Sequence, residues 1–115
     1  METVQGFQAG LESLFRITPP TAMIIDELPF FLAAQQFLAR RKMLVPEDIS
    51  LVCTAGDASF EWCHRSIAHM RWNHGPVVKR IVRWAANVRS GKRDLRQTLT
   101  PAVFVPGGSI GPVPR

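Results

Sequence analysis

Two short apolar runs with an amphipathic stretch between them restrict this chain's fold more than any other feature of the sequence. The first, TAMIID at 21–26, follows Pro19-Pro20 directly and ends in Asp26 and Glu27. An apolar run of that length, bounded by proline on one side and carboxylates on the other, reads as a buried strand. From Leu28 to Lys42 the period changes. Pro29 suits a first helical turn, and Phe30, Phe31, Ala34, Phe37 and Leu38 form a stripe opposite Gln35, Gln36, Arg40 and Arg41. The second run, DISLVCTA at 48–55, is rich in Ile, Val and Thr and lies between Pro46 and Gly56, which favours a strand. Strand, helix and strand within about 35 residues make a βαβ unit, so the two strands are expected to be parallel with a right-handed crossover.

The flanks fit around that unit. Phe7, Leu11, Leu14 and Phe15 recur at helical spacing between Gly6 and Arg16, and the proline pair ends that helix. Residues 56–75 show no sustained period; a short helix near Phe60 to Cys63 and an extended piece near Ile67 to Arg71 are expected there. Pro76 opens a helix running to about Ser90, with Val77, Val78, Ile81, Val82, Ala85 and Val88 as its apolar stripe, Asn73 as a candidate N-cap and Gly91 as its stop. Ala102 to Val105 are strand-like, and Pro101 and Pro106 confine that strand to a sheet edge. The ending GGSIGPVPR reads as loose.

A chain of 115 residues, 46% apolar and 20% charged, suits a single domain with a real core. No apolar run approaches the ~20 residues of a membrane span, and METVQGFQAG lacks the pattern of a secretory signal. Cys53 and Cys63 are too few for a disulfide framework. A cytoplasmic protein with reduced thiols is the expectation. The net charge of +5 is concentrated, because Lys79, Arg80, Arg83, Arg89, Lys92, Arg93 and Arg96 face only Asp94 between positions 79 and 96. Such a run reads as a solvated helix face, with a phosphate-contacting surface of a small nucleic-acid-binding protein as the alternative.

Catalytic patterns find little support. GGSIG at 107–111 matches the G-x-S-x-G nucleophile elbow, but that elbow needs a following helix and later acid and histidine partners, and only four residues come after Gly111. Cys63, His64, His69 and His74 are near one another in sequence, yet histidines every five residues share neither a strand face nor a helix face, and no C-x-x-C accompanies them. Histidines on a surface crossover are the expectation, with no metal site. No glycine-rich phosphate loop follows either strand, so no cofactor is expected. An acid/base pair of Asp26 and Asp57 in a small sugar-processing enzyme is the remaining catalytic alternative.

With the elements placed, VPEDISLV at 45–52 resembles the segment leading into a strand of LacI/GalR-type effector domains, which share the type I periplasmic-binding-protein fold. PPTAMIIDE upstream is similar to the family's strand ending in Asn-Asp, SIAHMRW to its crossover strand, and GGSIGP to its GSTGP-like ending. The spacing fits somewhat better the variant of this sensor joined to a GntR-type head. The resemblance runs from about Phe7 to Pro112. It implies an α/β fold, a three-layer partial parallel sheet forming the incomplete C-terminal lobe of such a domain, without the DNA-binding head or the first half of the sensor. One departure is that the family's GFDD reads CTAGD here, leaving Asp57 alone.

The resemblance implies a regulator that binds a small, sugar-like effector, has no enzymatic activity, forms homo-oligomers, and reaches DNA only through a head domain. Asp26 and Glu27 after the first strand, and Asp57 after the second, fall at the carboxyl edge where open α/β sheets bind ligands, and their oxygens can accept from sugar hydroxyls. Trp72 is placed to stack on a sugar ring. The competing readings are loop carboxylates or helix N-caps for the three acids, and plain core for Trp72. Phe31, Phe60, Trp62, Val77 and Ile81 are candidate interface residues, with ordinary core as the alternative for Phe31. The helix at 76–90 belongs to the other lobe in the resembling family, so its apolar stripe needs another surface, a second copy of the chain or a fold-back.

Overall fold

The computed structural model describes residues 3–114. Helix α1 spans Val4–Ile17, strand β1 Ala22–Ile25, helix α2 Leu28–Arg40, strand β2 Ser50–Cys53, a 3-10 turn Ala58–Trp62, strand β3 Ala68–Trp72, helix α3 Gly75–Arg89 and strand β4 Ala102–Val105. Each expected element is present, with boundaries moved by a residue or two. Gly91 adopts a φ of +78°, which ends α3 as its sequence position suggests. Helix α3 begins one residue after the N-cap position occupied by His74, and Asn73 instead accepts the Gly75 N–H at 3.0 Å through its side chain.

The strands form one sheet in the order β1-β2-β3-β4. β1 and β2 are parallel, with Ala22 opposite Ser50 and Ile25 opposite Cys53. β2 and β3 are also parallel, whereas β4 returns antiparallel to β3 and closes the far edge. The two prolines bracketing β4 are compatible with that edge position, because an edge strand can leave an N–H side unpaired.

One face of the sheet carries the core. Strand periodicity sends Ile49, Leu51 and Cys53 toward α2, where they meet Phe31, Ala34 and Leu38, with Leu11 and Phe15 of α1 adding a second row. Phe7 stacks on Phe30 and Phe15 tilts against Phe37, so aromatic pairs tie α1 to α2; the Arg41 guanidinium lies over the Phe15 and Phe37 rings.

The opposite face is not covered in the described residues. β1 was expected to be buried, but it is an outer strand with one face packed, and Ile24 is 75% exposed. No residue of α3 is buried. That helix projects from the sheet, and the molecule measures 60 × 31 × 22 Å with a radius of gyration of 18.9 Å. A compact chain of this length would have a radius near ~13 Å.

The tail is anchored rather than loose. Ser109, 1% exposed, donates from Oγ to the Leu51 carbonyl at 2.6 Å and accepts the Ala68 N–H at 2.9 Å, while its own carbonyl accepts the Leu51 N–H. One hydroxyl therefore bridges β2 and β3 at the start of β3. Gly111 adds a second tie, its N–H donating to Ser50 Oγ at 3.0 Å.

The basic loop after α3 is clamped to the helix's polar side. Arg80 donates to both oxygens of Asp94, Asn87 donates to Oδ2 at 2.9 Å, and the Arg96 N–H donates to Oδ1 at 3.2 Å. These donors, Arg80 first, hold the Asp94 carboxyl at about 2 against an ordinary 3.8. A depressed folded value means that the stability contributed by Asp94 is complete above the unfolded pKa and lost as pH falls through the folded one. Protection of the Arg96 amide against hydrogen exchange, relative to the unfolded-chain rate, should therefore decline between pH 4 and pH 2 (both taken from the two values of Asp94), and be lost at neutral pH in Asp94→Ala. Constant protection across that range would contradict the clamp.

Candidate functional site

Because β1, β2 and β3 run parallel, their carboxyl ends share one edge of the sheet. Asp26 and Glu27 leave β1 there, Asp57 follows β2, and Trp72 ends β3. Asp57 is the N-cap of the 3-10 turn: its Oδ1 accepts from the Ser59 N–H at 2.8 Å and also from the Ser59 hydroxyl. The Ser59 hydroxyl first, then its N–H, pull the Asp57 pKa below the usual carboxylate range. Asp57 is thus a fixed carboxylate, and among the described residues nothing bonds its second oxygen.

Trp72 is partly exposed rather than core, and its indole N–H donates to the Thr54 carbonyl at 3.2 Å, which pins the ring to the loop carrying Asp57. Between the two lies a cavity of about 190 Å³ also lined by Glu61, His69, Arg71 and His74. Of the four expected effector residues Asp57 and Trp72 line this cavity, and His69, expected on a surface crossover, lines it too. His69 is 4% exposed, its ring tilts against Phe60, and its Nδ1 sits 2.8 Å from the Ile67 carbonyl. In the neutral ring that contact makes Nδ1 the donor, so Nε2 is left as an acceptor. The period of two in an extended piece ending near Arg71 sets His69 and Arg71 on one face, but which face Phe60 covers is decided outside the strand.

Asp26 and Glu27 do not join this cavity. They border a separate groove of about 460 Å³ with Phe7, Leu11, Leu14 and Phe30. The two sites are still neighbours: burial above all, then the charges of Asp26 and Asp57, push the Cys53 thiol pKa up. A thiol so raised is a poor nucleophile.

The interface candidates divide. Phe31 and Phe60 are core residues, their rings tilted against each other with centres 5.3 Å apart, so neither offers a side chain to a second molecule. Trp62, 91% exposed, and Ile81 stand in solvent, and Val77 is half-buried. Among the described residues no three His, Cys, Asp or Glu side chains gather to hold a metal ion, and no helix is long and apolar enough to cross a membrane. The GGSIG serine has both its hydroxyl proton and a lone pair engaged by backbone.

No protein-family model matches this sequence, and no curated relative does. Solved structures do match. A LacI-family transcriptional regulator from Bifidobacterium animalis subsp. lactis superposes with a TM-score of 0.79 at 19% identity, over 95% of this chain and 41% of that one. A PurR-family transcriptional regulator from Vibrio parahaemolyticus gives 0.73 at 17%, over 95% and 40%. The sugar-binding LacI-family regulator of Escherichia coli, complexed with phosphate, gives 0.75 at 16%, over 93% and 39%. The fold is therefore that of an incomplete type I periplasmic-binding-protein-like lobe, as the sequence resemblance implied. The chain spans about two fifths of the length of these regulators.

Proposed function

We propose that this chain is the ligand-sensing and oligomerisation portion of a bacterial, cytoplasmic transcription regulator of the LacI type, and that it binds a small sugar-like effector. The observation that carries the reading is the cavity at the carboxyl edge of β2 and β3, where a fixed carboxylate, a buried imidazole acceptor and a partly exposed indole come together. Carboxylate and imidazole accept from ligand hydroxyls, and the indole supplies a flat apolar surface, which is the mixture that polyhydroxylated rings require. The sugar-binding regulator among the structural matches supports the same class. Asp26 stands one strand away and would reach only a ligand extending past Cys53.

The reading also accounts for α3. Its face of Val78, Ile81, Val82, Trp84 and Val88 is exposed along the length of the helix. An apolar stripe of that size calls for a covering surface, which in this proposal is a complementary lobe or a second copy of the chain. Regulation follows as a population shift: effector binding favours one arrangement of lobes and subunits, and so alters how attached DNA-binding heads engage their operator. DNA recognition belongs to such a head; nothing in the proposal assigns catalysis to the lobe.

The test is calorimetric titration of the chain with a panel of monosaccharides. Asp57→Asn keeps the N-cap but removes the charge, and should weaken binding about tenfold; Trp72→Ala should do the same. Absence of binding across the panel, or equal affinities in both variants, would overturn the effector assignment. Light scattering addresses assembly separately, with self-association expected and weakened by Ile81→Glu. A strict monomer with α3 solvated would rule out a second copy as its covering surface.

A further inference from the structure

The polar side of α3 holds a second concave feature, which shares no lining residue with the effector cavity. A groove of about 500 Å³ runs between the start of α3 and residues 96–100. Lys79, Arg80, Arg83 and Arg96 line it, and no carboxylate does. Thr98 and Thr100 add two hydroxyls, while Val77 and Leu99 add apolar wall.

We propose that this groove is a binding site for an organic phosphate monoester. The one acid of the region, Asp94, is enclosed at 9% side-chain exposure and already paired with Arg80. Arg80 also donates to the Arg96 carbonyl at 2.5 Å, so the same residue holds the segment that forms the groove's second wall. Its Nε–H is buried without an acceptor. The cationic charge of Lys79, Arg83 and Arg96 is left without a carboxylate in the groove, and a concave surface lined by one sign of charge concentrates its field on an incoming anion. A phosphate dianion takes charge-assisted bonds from arginine and lysine and neutral ones from the threonine hydroxyls. The apolar wall asks for a carbon body beside the phosphate, and the volume lies within the range of small-molecule sites.

Duplex DNA is the poorer fit. Helix α3 presents a polar side only, and its other side exposes Val78, Ile81, Val82, Trp84 and Val88. A helix lying in a groove of DNA meets phosphates on both flanks, and this one would set valines and a tryptophan against them.

The experiment is calorimetric titration of the full chain at low ionic strength with phenyl phosphate, with inorganic phosphate and phenol as its separate halves. Single-site binding of phenyl phosphate is expected, weaker binding of inorganic phosphate, and none of phenol. Lys79→Glu and Arg83→Glu are both exposed positions outside the Asp94 clamp, and each should weaken phenyl phosphate about tenfold or more with the thermal melt unchanged. Arg40→Glu on α2 should leave the affinity as it was. The proposal is overturned if phenyl phosphate gives no binding, if Lys79→Glu and Arg83→Glu bind it as well as the parent chain, or if a short DNA duplex binds in its place with phenyl phosphate failing to compete.

Discussion

Replacing Phe31 by alanine should lower the unfolding free energy by about 3–5 kcal/mol, the range for deleting a buried aromatic side chain. Phe31 is 0% exposed and lies where three elements meet. It projects from α2 onto β2, and its ring packs against Phe60 of the 3-10 turn. Truncation would leave a void bounded by Ala34, Leu51 and Phe60, which sit on separate elements and cannot all close over it. A chain of this length has a total stability of roughly 6–17 kcal/mol. The loss is therefore a large share of the whole, and urea unfolding would show it as a lowered midpoint at unchanged slope. A loss under about 1 kcal/mol, the range of tolerated core swaps, would mean that the core is not organised around this ring.

Gly107→Ala is the second large effect, expected at about 3 kcal/mol because a methyl is forced into backbone rather than into a side chain that can move. A Cβ at this position would stand 2.6 Å from the Ala68 nitrogen and 2.7 Å from the Ile67 carbonyl carbon. The tail would have to lift, and Ser109 would lift with it. Ser109 bonds the same Ala68 N–H and the Leu51 carbonyl, so the strain would also cost the bridge between β2 and β3. Hydrogen exchange would localise the damage, with the Ala68 amide losing protection before the amides of α2. Full protection of Ala68 in the variant would show that the tail does not brace the sheet.

The motif containing these two residues illustrates why parts of the molecule were hard to read in advance. GGSIG carries three glycines and a serine, and those types alone describe a loop, a nucleophile elbow or a strand bridge equally well. Its meaning depends on Leu51 and Ala68, which lie 58 and 41 residues away in sequence. The candidate site divides in the same manner. Asp57 and Trp72 were legible, because each follows a strand and parallel strands share a carboxyl edge. His69 was not, because its burial comes from Phe60, which reaches it from the 3-10 turn. Asp26 and Glu27 share that edge with Asp57, yet they stay exposed and border a groove of their own beside α1.

Local pattern was sufficient for the kind and order of elements: proline and glycine mark their ends, a period of 3.6 separates helices from strands, and a helix between two strands makes those strands parallel. Such properties arise among residues a few positions apart, so they survive in the linear chain. Packing decided the rest, namely which face of β1 meets solvent, that α3 stands clear of the sheet, that Phe31 and Phe60 are core, and that His69 lines a cavity. Each of these depends on how much surface other elements bring to a residue, and that quantity exists only once distant segments have met.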